Sequence, residues 1–302
     1  MSLPTTHPGP DTATVTIDRE LCTSCGSCAR VCFGKPLELV DGRIEIDQSR
    51  LFGCIGCAAC LSVCPTGAVR VTGRDLDADD VINLAPPAGR ASYPELLALL
   101  QHRRSVRNFT AEEVSAEVIE RIFDAAVTAP MGIPPSEVGV LLLEGRERVQ
   151  AFSADTLGWM KRTERWLRPV LPLARPFMSK SDYTIFRDFV FPAVDAYLEK
   201  QAVGKDWLMY DAPLAMVFYG TGLNDPADPY IPATLAVVAA ESLGLGSCML
   251  GFAGYGLFYD KRLRRKWGLP DRIRPGVTVV FGHPVVQLRN GVRRRFSAVV
   301  RG

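Results

Sequence analysis

The sequence contains no stretch of about 18 uninterrupted apolar residues, so no membrane-spanning helix is expected from it. It also lacks a charge surplus: 35 lysines and arginines stand against 33 aspartates and glutamates, a formal net charge of +2. A balance of that kind removes nucleic acid and anionic membrane surfaces as obligatory partners. Histidine is scarce, with three in 302 residues, and His102 and His283 are too far apart to suggest a metal centre or a catalytic dyad. The opening, "MSLPTTHPGPDTATV", has no basic segment followed by an apolar one, which makes the cytoplasm the expected location. In that reducing compartment structural disulfides are not expected, and the nine cysteines are left for metal binding or catalysis. With 47% hydrophobic residues, the chain can bury a core and is long enough for two domains.

Eight of the nine cysteines fall into two runs of one spacing, Cys22-x2-Cys25-x2-Cys28-x3-Cys32 and Cys54-x2-Cys57-x2-Cys60-x3-Cys64, the second followed by Pro65. The runs stand 32 residues apart behind similar material, "TIDRELC" and "IDQSRLFGC", which marks an internal duplication. Three thiolates three residues apart in a tight loop converge on one centre, and Gly26, Ser27, Gly56, Ala58 and Ala59 let the backbone wrap closely. Soft thiolates favour iron–sulfur clusters or zinc. Structural zinc sites take two cysteines per knuckle, whereas the triple spacing resembles the bacterial two-cluster ferredoxins, over about residues 14 to 72. That resemblance implies two 4Fe-4S clusters in which the last cysteine of each run serves the other cluster. One would take Cys22, Cys25, Cys28 and Cys64, and the other Cys54, Cys57, Cys60 and Cys32. The first run departs from the pattern, ending Cys32-Phe33 with the proline delayed to Pro36, a difference that concerns the local turn and not the ligand set. A module this small gains its stability largely from its clusters.

The expected organisation is a flexible N-terminus over 1–13, the cluster domain over 14–72, a linker over 73–92 rich in acidic residues, Pro86-Pro87 and glycine, and a second domain over 93–302. Within the last, "YPELLALLQHRRS" reads as a short amphipathic helix with Leu96, Leu97 and Leu100 on one side. Thr110 with Glu113 reads as a capping box opening the next helix, along which Val114, Val118, Ile122 and Ala126 recur until Pro130. Four short apolar runs read as buried strands: 138–144, 214–220, 247–252 and 277–282. Residues 146–208 are helical in pattern, and 233–244 is an apolar helix stopped by Gly244. Helices on both faces of a central sheet make an α+β or mixed α/β domain.

The segment "HRRSVRNF" (102–109) alternates Arg103, Ser105 and Arg107, which in extended backbone point the same way and offer two guanidinium forks and a hydroxyl. A solvated basic turn is the competing reading. Together with "TAPMGIPPSEVGVLLLE" (128–144), "AAESLGLGSCMLGF" (239–252) and "FGHP" with "RRRF" (281–284 and 293–296), the segment resembles, in order, the motifs of the nitroreductase family of FMN enzymes. The resemblance covers roughly 93–302 and implies a nitroreductase-like FMN-binding α/β domain. Arg103, Arg104, Ser105 and Arg107 would hold the flavin phosphate and ribityl group, and one of Arg293 to Arg295, with Arg294 the candidate, would complete the grip. Pro130 and Gly132 belong to the implied binding loop, and Leu250 and Gly251 would lie beside the ring. Where the family has asparagine and glutamine in that loop, this chain has Pro134 and Ser136, so other groups must meet the pyrimidine edge of the flavin.

Cys248 reads as a small core hydrophobe rather than a nucleophile, and His102 as a solvated side chain rather than a phosphate contact. Tyr255, Phe258, Tyr259 and Trp207 are candidates to wall a substrate site, though aromatics at such spacing are more often core. "KRLRRKW" (261–267) reads as the solvated face of a helix. The expectation is an iron–sulfur flavoprotein oxidoreductase. Electrons from reduced ferredoxin or another low-potential donor would pass through two 4Fe-4S clusters to FMN and on to a small organic acceptor: a nitro, quinone, enone or halogenated compound. No catalytic residue is nominated, and the family resemblance implies a homodimer. The alternative is an electron-transfer or flavin-handling component that supplies a partner enzyme.

Overall fold

The computed structural model describes residues 13–51, 53–74, 76–77, 80–130, 137–221 and 224–301. They divide into two compact units, one holding the residues up to Arg90 together with Glu137 and the other formed by Ala91 to Pro130 and Val138 onward. The stretch expected to be flexible lies outside the described residues except for Ala13, which is buried in the first unit's core.

The first unit runs β1 (Thr14–Ile17), α1 (Ser27–Val31), β2 (Leu37–Val40), β3 (Arg43–Ile46), α2 (Ala59–Ser62), β4 (Val69–Thr72). β1 pairs antiparallel with β4, and β2 with β3 across a tight Asp41-Gly42 turn. The duplication read from the cysteines is written into the backbone as well. Ser24, Gly26, Lys35, Asp41 and Gly42 all take positive φ (54°, 76°, 59°, 47°, 76°), and so do Gly56, Ala58, Gly67, Gly73 and Arg74, 32 residues on (73°, 54°, 65°, 89°, 57°). Left-handed backbone costs a residue with a side chain roughly 1 kcal/mol or more, so the wrap that brings the thiols together is held against local preference. Among the described residues the core is small: Ala13, Val15, Leu37, Ile44, Val69, Val71 and the cysteines Cys28 and Cys60.

The second unit contains α3 (Tyr93–His102), α4 (Ala116–Ala126), β5 (Val138–Glu144), α5 (Arg146–Ala174), α6 (Lys180–Ile185), a π-helical turn (Phe186–Val190), α7 (Phe191–Ala202), β6 (Leu214–Gly220), α8 (Tyr230–Ser242), β7 (Gly246–Leu250), α9 (Tyr255–Tyr259), α10 (Lys261–Lys266) and β8 (Arg274–Gly282). The strands form one sheet in the order β5-β6-β8-β7, every neighbour antiparallel. Period-two alternation sorts β6 between two cores. Leu214, Met216 and Phe218 pack with Ile122 of α4 and Ala236 of α8, while Ala215 and Val217 pack with Phe152 of α5 and Val194 of α7. Helices therefore cover both faces, as the α+β expectation required.

The start of α4 departs from the expected capping box. Ser115 is the N-cap, its hydroxyl accepting from Val118 N, and the helix begins at Ala116. Thr110 N instead donates to the His283 carbonyl at 2.9 Å, and the Glu113 carboxylate accepts from Arg146 N at 3.4 Å. Long-range partners claimed the two residues that local pattern assigned to the cap. α3 does carry a capping box, between Ser92 and Glu95.

Candidate functional site

Each cysteine run passes through left-handed backbone into a short helix, and the exposure of its thiols repeats. Cys28 and Cys60 are buried, Cys25 and Cys57 exposed, and Cys22, Cys32, Cys54 and Cys64 half-buried. Thiols that act on one another do not group by run. Burial pushes Cys60 up to about 12, and Cys32, Cys54 and Cys57 reinforce the rise. Burial also raises Cys54, with Cys57 and Cys32 adding to it and the Arg74 guanidinium opposing it. Cys28, raised first by burial, has Cys22 and Cys64 as its charged neighbours. A small cavity opens among Cys32, Cys54, Cys57 and Cys60. The last cysteine of each run thus stands with the opening cysteines of the other. Among the described residues, no three His, Cys, Asp or Glu side chains are drawn close enough to hold a single metal ion. A four-iron cluster is a larger body than one ion, and its thiolates stand correspondingly further apart.

In the second unit the segment from Arg103 to Phe109 extends the exposed edge of the sheet. Ser105 forms a parallel bridge with Ser247 of β7, and Val106 N donates to the Ser247 carbonyl at 2.9 Å. Only glycine fits opposite: a Cβ on Gly246 would fall 2.7 Å from Val106. With Val106 turned toward β7, Ser105 and Arg107 both reach the Cys248 thiol, and the charge of Arg103 acts on it too. Burial pushes that thiol up in spite of the neighbouring Arg107, so at neutral pH it is uncharged and leaves the positive charge of Arg107 uncancelled. Arg107 also lies over the Tyr210 ring, 5.9 Å from its centroid. Ser105 and Arg107 are exposed, Arg103 half-buried, and Arg104 half-buried and out of step with the alternation.

Beyond Cys248, Leu250 is buried and Gly251 exposed, with no heavy atom within 4 Å of where a Cβ would stand. That open backbone suits the approach of a planar ring. Pro130 is exposed, while Gly132, Pro134 and Ser136 lie outside the described residues. Arg294 is exposed in the extended C-terminal tail, which passes close to α3: a Cβ on Gly291 would lie 3.4 Å from the Gln101 carbonyl. His102 pairs with the Glu241 carboxylate at 2.5 Å. On α10, Lys261 and Arg265 pair with Asp271, and Lys266 with Asp155, as befits a solvated basic face.

Three comparisons with known proteins bear on this geometry. The nitroreductase family model matches residues 100–283, which include the arginine segment, the whole sheet and Gly251. The chain belongs to the nitroreductase family. A 4Fe-4S dicluster domain matches residues 14–65, across both cysteine runs. Among curated proteins, this nitroreductase-family chain is 28% identical over 192 residues to the FMN reductase [NAD(P)H] of Bacillus subtilis, covering 63% of this chain and 66% of that one. Among solved structures it resembles an FMN-bound nitroreductase from Bacteroides fragilis in fold, at 16% identity and TM-score 0.50, covering 69% of this chain and 99% of that one. A second, FMN-bound, from Desulfitobacterium hafniense is 22% identical with TM-score 0.48, covering 68% and 98%.

Some residues around this site carry no local sequence signal. Tyr210 and Asp211 adopt consecutive left-handed conformations, φ 58° and 52°. Arg146 holds this turn, its guanidinium donating to the Asp211 carbonyl and, at 2.6 Å, to that of Thr110. A cavity of about 790 Å³ is lined by Trp159, Leu167, Phe189, Phe252, Tyr255 and Tyr259 among others. Phe252, next to Gly251, also stacks on Tyr197 at 6.2 Å. Tyr255 and Tyr259 therefore wall a cavity, whereas Trp207 lies under the Lys200 ammonium, 4.5 Å from its ring centroid, and Phe258 packs beside Gly254. Among the described residues, no helix is long and apolar enough to cross a membrane.

Proposed function

We propose that the protein is an FMN-dependent oxidoreductase that receives electrons singly through two 4Fe-4S clusters and delivers them to a small organic acceptor. The observation that carries the reading is the convergence of Ser105 and Arg107, with Arg103 alongside, at the edge strand that leads to the open backbone of Gly251. Two guanidinium groups and a hydroxyl grip a phosphate, while Leu250 and Gly251 receive a flat ring. FMN bound there supplies the conversion between one-electron delivery and two-electron reduction. Arg104 and Arg294 complete the anion grip, and Pro130 stands at the start of the loop that meets the flavin. The two thiol groups supply the cluster ligands, Cys22, Cys25, Cys28 and Cys64 for one and Cys54, Cys57, Cys60 and Cys32 for the other.

The aromatic cavity beside Phe252 favours an enzyme over a carrier, because it gives an uncharged aromatic or quinone-like acceptor a place to sit. The donor is reduced ferredoxin or another low-potential one-electron donor; direct reduction by NAD(P)H alone leaves the cluster unit without a role. The working form is a homodimer in the cytoplasm. Its support is the family and the tail, where Val292, Phe296 and Val300 are 66%, 87% and 92% exposed in the single chain.

The test is anaerobic purification with iron, sulfide and flavin analysis, then rapid mixing with reduced ferredoxin or NADH. Iron and sulfide for two clusters, one FMN per chain and faster reduction by ferredoxin are expected. Zinc without iron would remove the cluster reading. Fast reduction by NADH of a variant lacking residues 1–90 would remove the proposed route.

A further inference from the structure

The two cysteine groups are built on duplicated backbone but not on duplicated surroundings. Around the group of Cys22, Cys25, Cys28 and Cys64, polar groups meet the sulfurs. Cys25 Sγ lies 3.4 Å from Ser27 Oγ, Cys64 Sγ lies 3.8 Å from Thr66 Oγ1, and Ala68 N donates to Cys64 Sγ at 3.2 Å. The Thr23 hydroxyl also reaches Cys25. With the sulfurs as metal-bound thiolates, the hydroxyls become the donors. Thirty-two residues away in the duplicate, the same four places are held by Ile55 for Thr23, Ala59 for Ser27, Gly34 for Thr66 and Pro36 for Ala68. Three of these replace a hydroxyl with carbon or nothing, and the fourth removes the N–H itself. The delayed proline of the first run is therefore the loss of a hydrogen bond at the second group. Contacts shared by the duplicates cancel in the comparison: Ala29 N–H serves Cys28 as Leu61 N–H serves Cys60.

Resting on the cross-ligated two-cluster reading above, we propose that the chain makes its clusters electrically unequal, the Cys22/Cys25/Cys28/Cys64 cluster having the higher reduction potential. Reduction adds negative charge to a cluster, and each hydrogen bond to its sulfurs stabilises that charge, as does solvent. The Cys32/Cys54/Cys57/Cys60 cluster has fewer such donors: against the four stand the Gly56 N–H, which serves Cys54, and the charge of the Arg74 guanidinium, which donates to the Ile55 carbonyl at 3.0 Å. One backbone N–H and one charge already engaged by a carbonyl offset less than four direct donors.

The experiment is a dithionite titration of the anaerobic holoprotein followed by electron paramagnetic resonance, on the parent and on Ser27→Ala/Thr66→Val and Pro36→Ala. Two waves are expected, the first giving the signal of one isolated cluster and the second adding the broadened signal of two coupled ones. Ser27→Ala/Thr66→Val should move the first wave to lower potential and leave the second in place. Pro36→Ala, which restores an N–H, should raise the second. A single wave for both clusters, or movement of the second wave by the Ser27/Thr66 pair, would overturn the inference while leaving the two-cluster reading intact. Iron and sulfide for fewer than two clusters would overturn the reading itself.

Discussion

The two units solve opposite problems with the same chain. Among the described residues, the first closes around eight buried side chains, two of which are cysteines, whereas the second encloses cores of nineteen and fourteen. A sheet covered on both faces buries enough apolar surface to stand without help. A unit with so small a core and ten positive-φ residues at its duplicated turns does not, and needs its metal to offset the strain. In one unit the cofactor makes the fold; in the other the fold makes room for the cofactor.

The largest effect expected of that contrast follows removal of iron. Chelation under reducing conditions, or Cys60→Ser, should abolish the first unit's cooperative unfolding transition and its visible absorbance, while FMN content and the second unit's transition stay as they were. Calorimetry with flavin analysis checks this, and a simultaneous loss of both transitions would break the contrast. Phe152→Ala reverses the target. A fully buried phenylalanine removed beneath the sheet should cost the second unit about 3–5 kcal/mol in denaturant unfolding, with the cluster spectrum unchanged. Arg107→Ala touches the ligand more than the fold. Loss of a charge-assisted contact worth about 1.5–3 kcal/mol should weaken FMN binding roughly ten- to a hundredfold in a fluorescence titration, with iron content constant. Ser115→Ala should cost about 1 kcal/mol as the loss of a true N-cap, and Thr110→Ala less, since the bond from Thr110 to His283 uses the backbone. Equal costs would restore the capping box at Thr110.

What was legible in the sequence follows the same division. The cysteine runs were plain because tight wrapping dictates their spacing, and the strand run over 214–220 because burial on both faces leaves almost no polar positions. The alternation of Arg103, Ser105 and Arg107 was readable because extended backbone has a period of two. The uniformly antiparallel order of the sheet was not, since nothing local in a buried strand says which neighbour it will take. Tyr210 stayed hidden for a related reason: its left-handed backbone and its place under Arg107 are set by a residue more than a hundred positions away and by the clamp of Arg146. Thr110 and Glu113 meet partners from the same region, His283 just beyond β8 and Arg146 at the start of α5, which no local capping pattern announces. Gly132, and the Pro134 and Ser136 that stand where the resemblance leads one to expect asparagine and glutamine, lie outside the described residues.

Gly251, proposed above to lie beside the flavin, separates the interests of the protein from those of its proposed guest. Its φ is outside the range that demands glycine, and a methyl group there would touch nothing of the chain. Alanine at that position should leave the empty protein as stable as before or firmer by about 0.4–1 kcal/mol, through a stiffer unfolded chain. Any affinity lost on that substitution would belong to the bound molecule alone. A single hydrogen-to-methyl change thereby becomes a ruler, measuring from the protein's side how near the flavin comes.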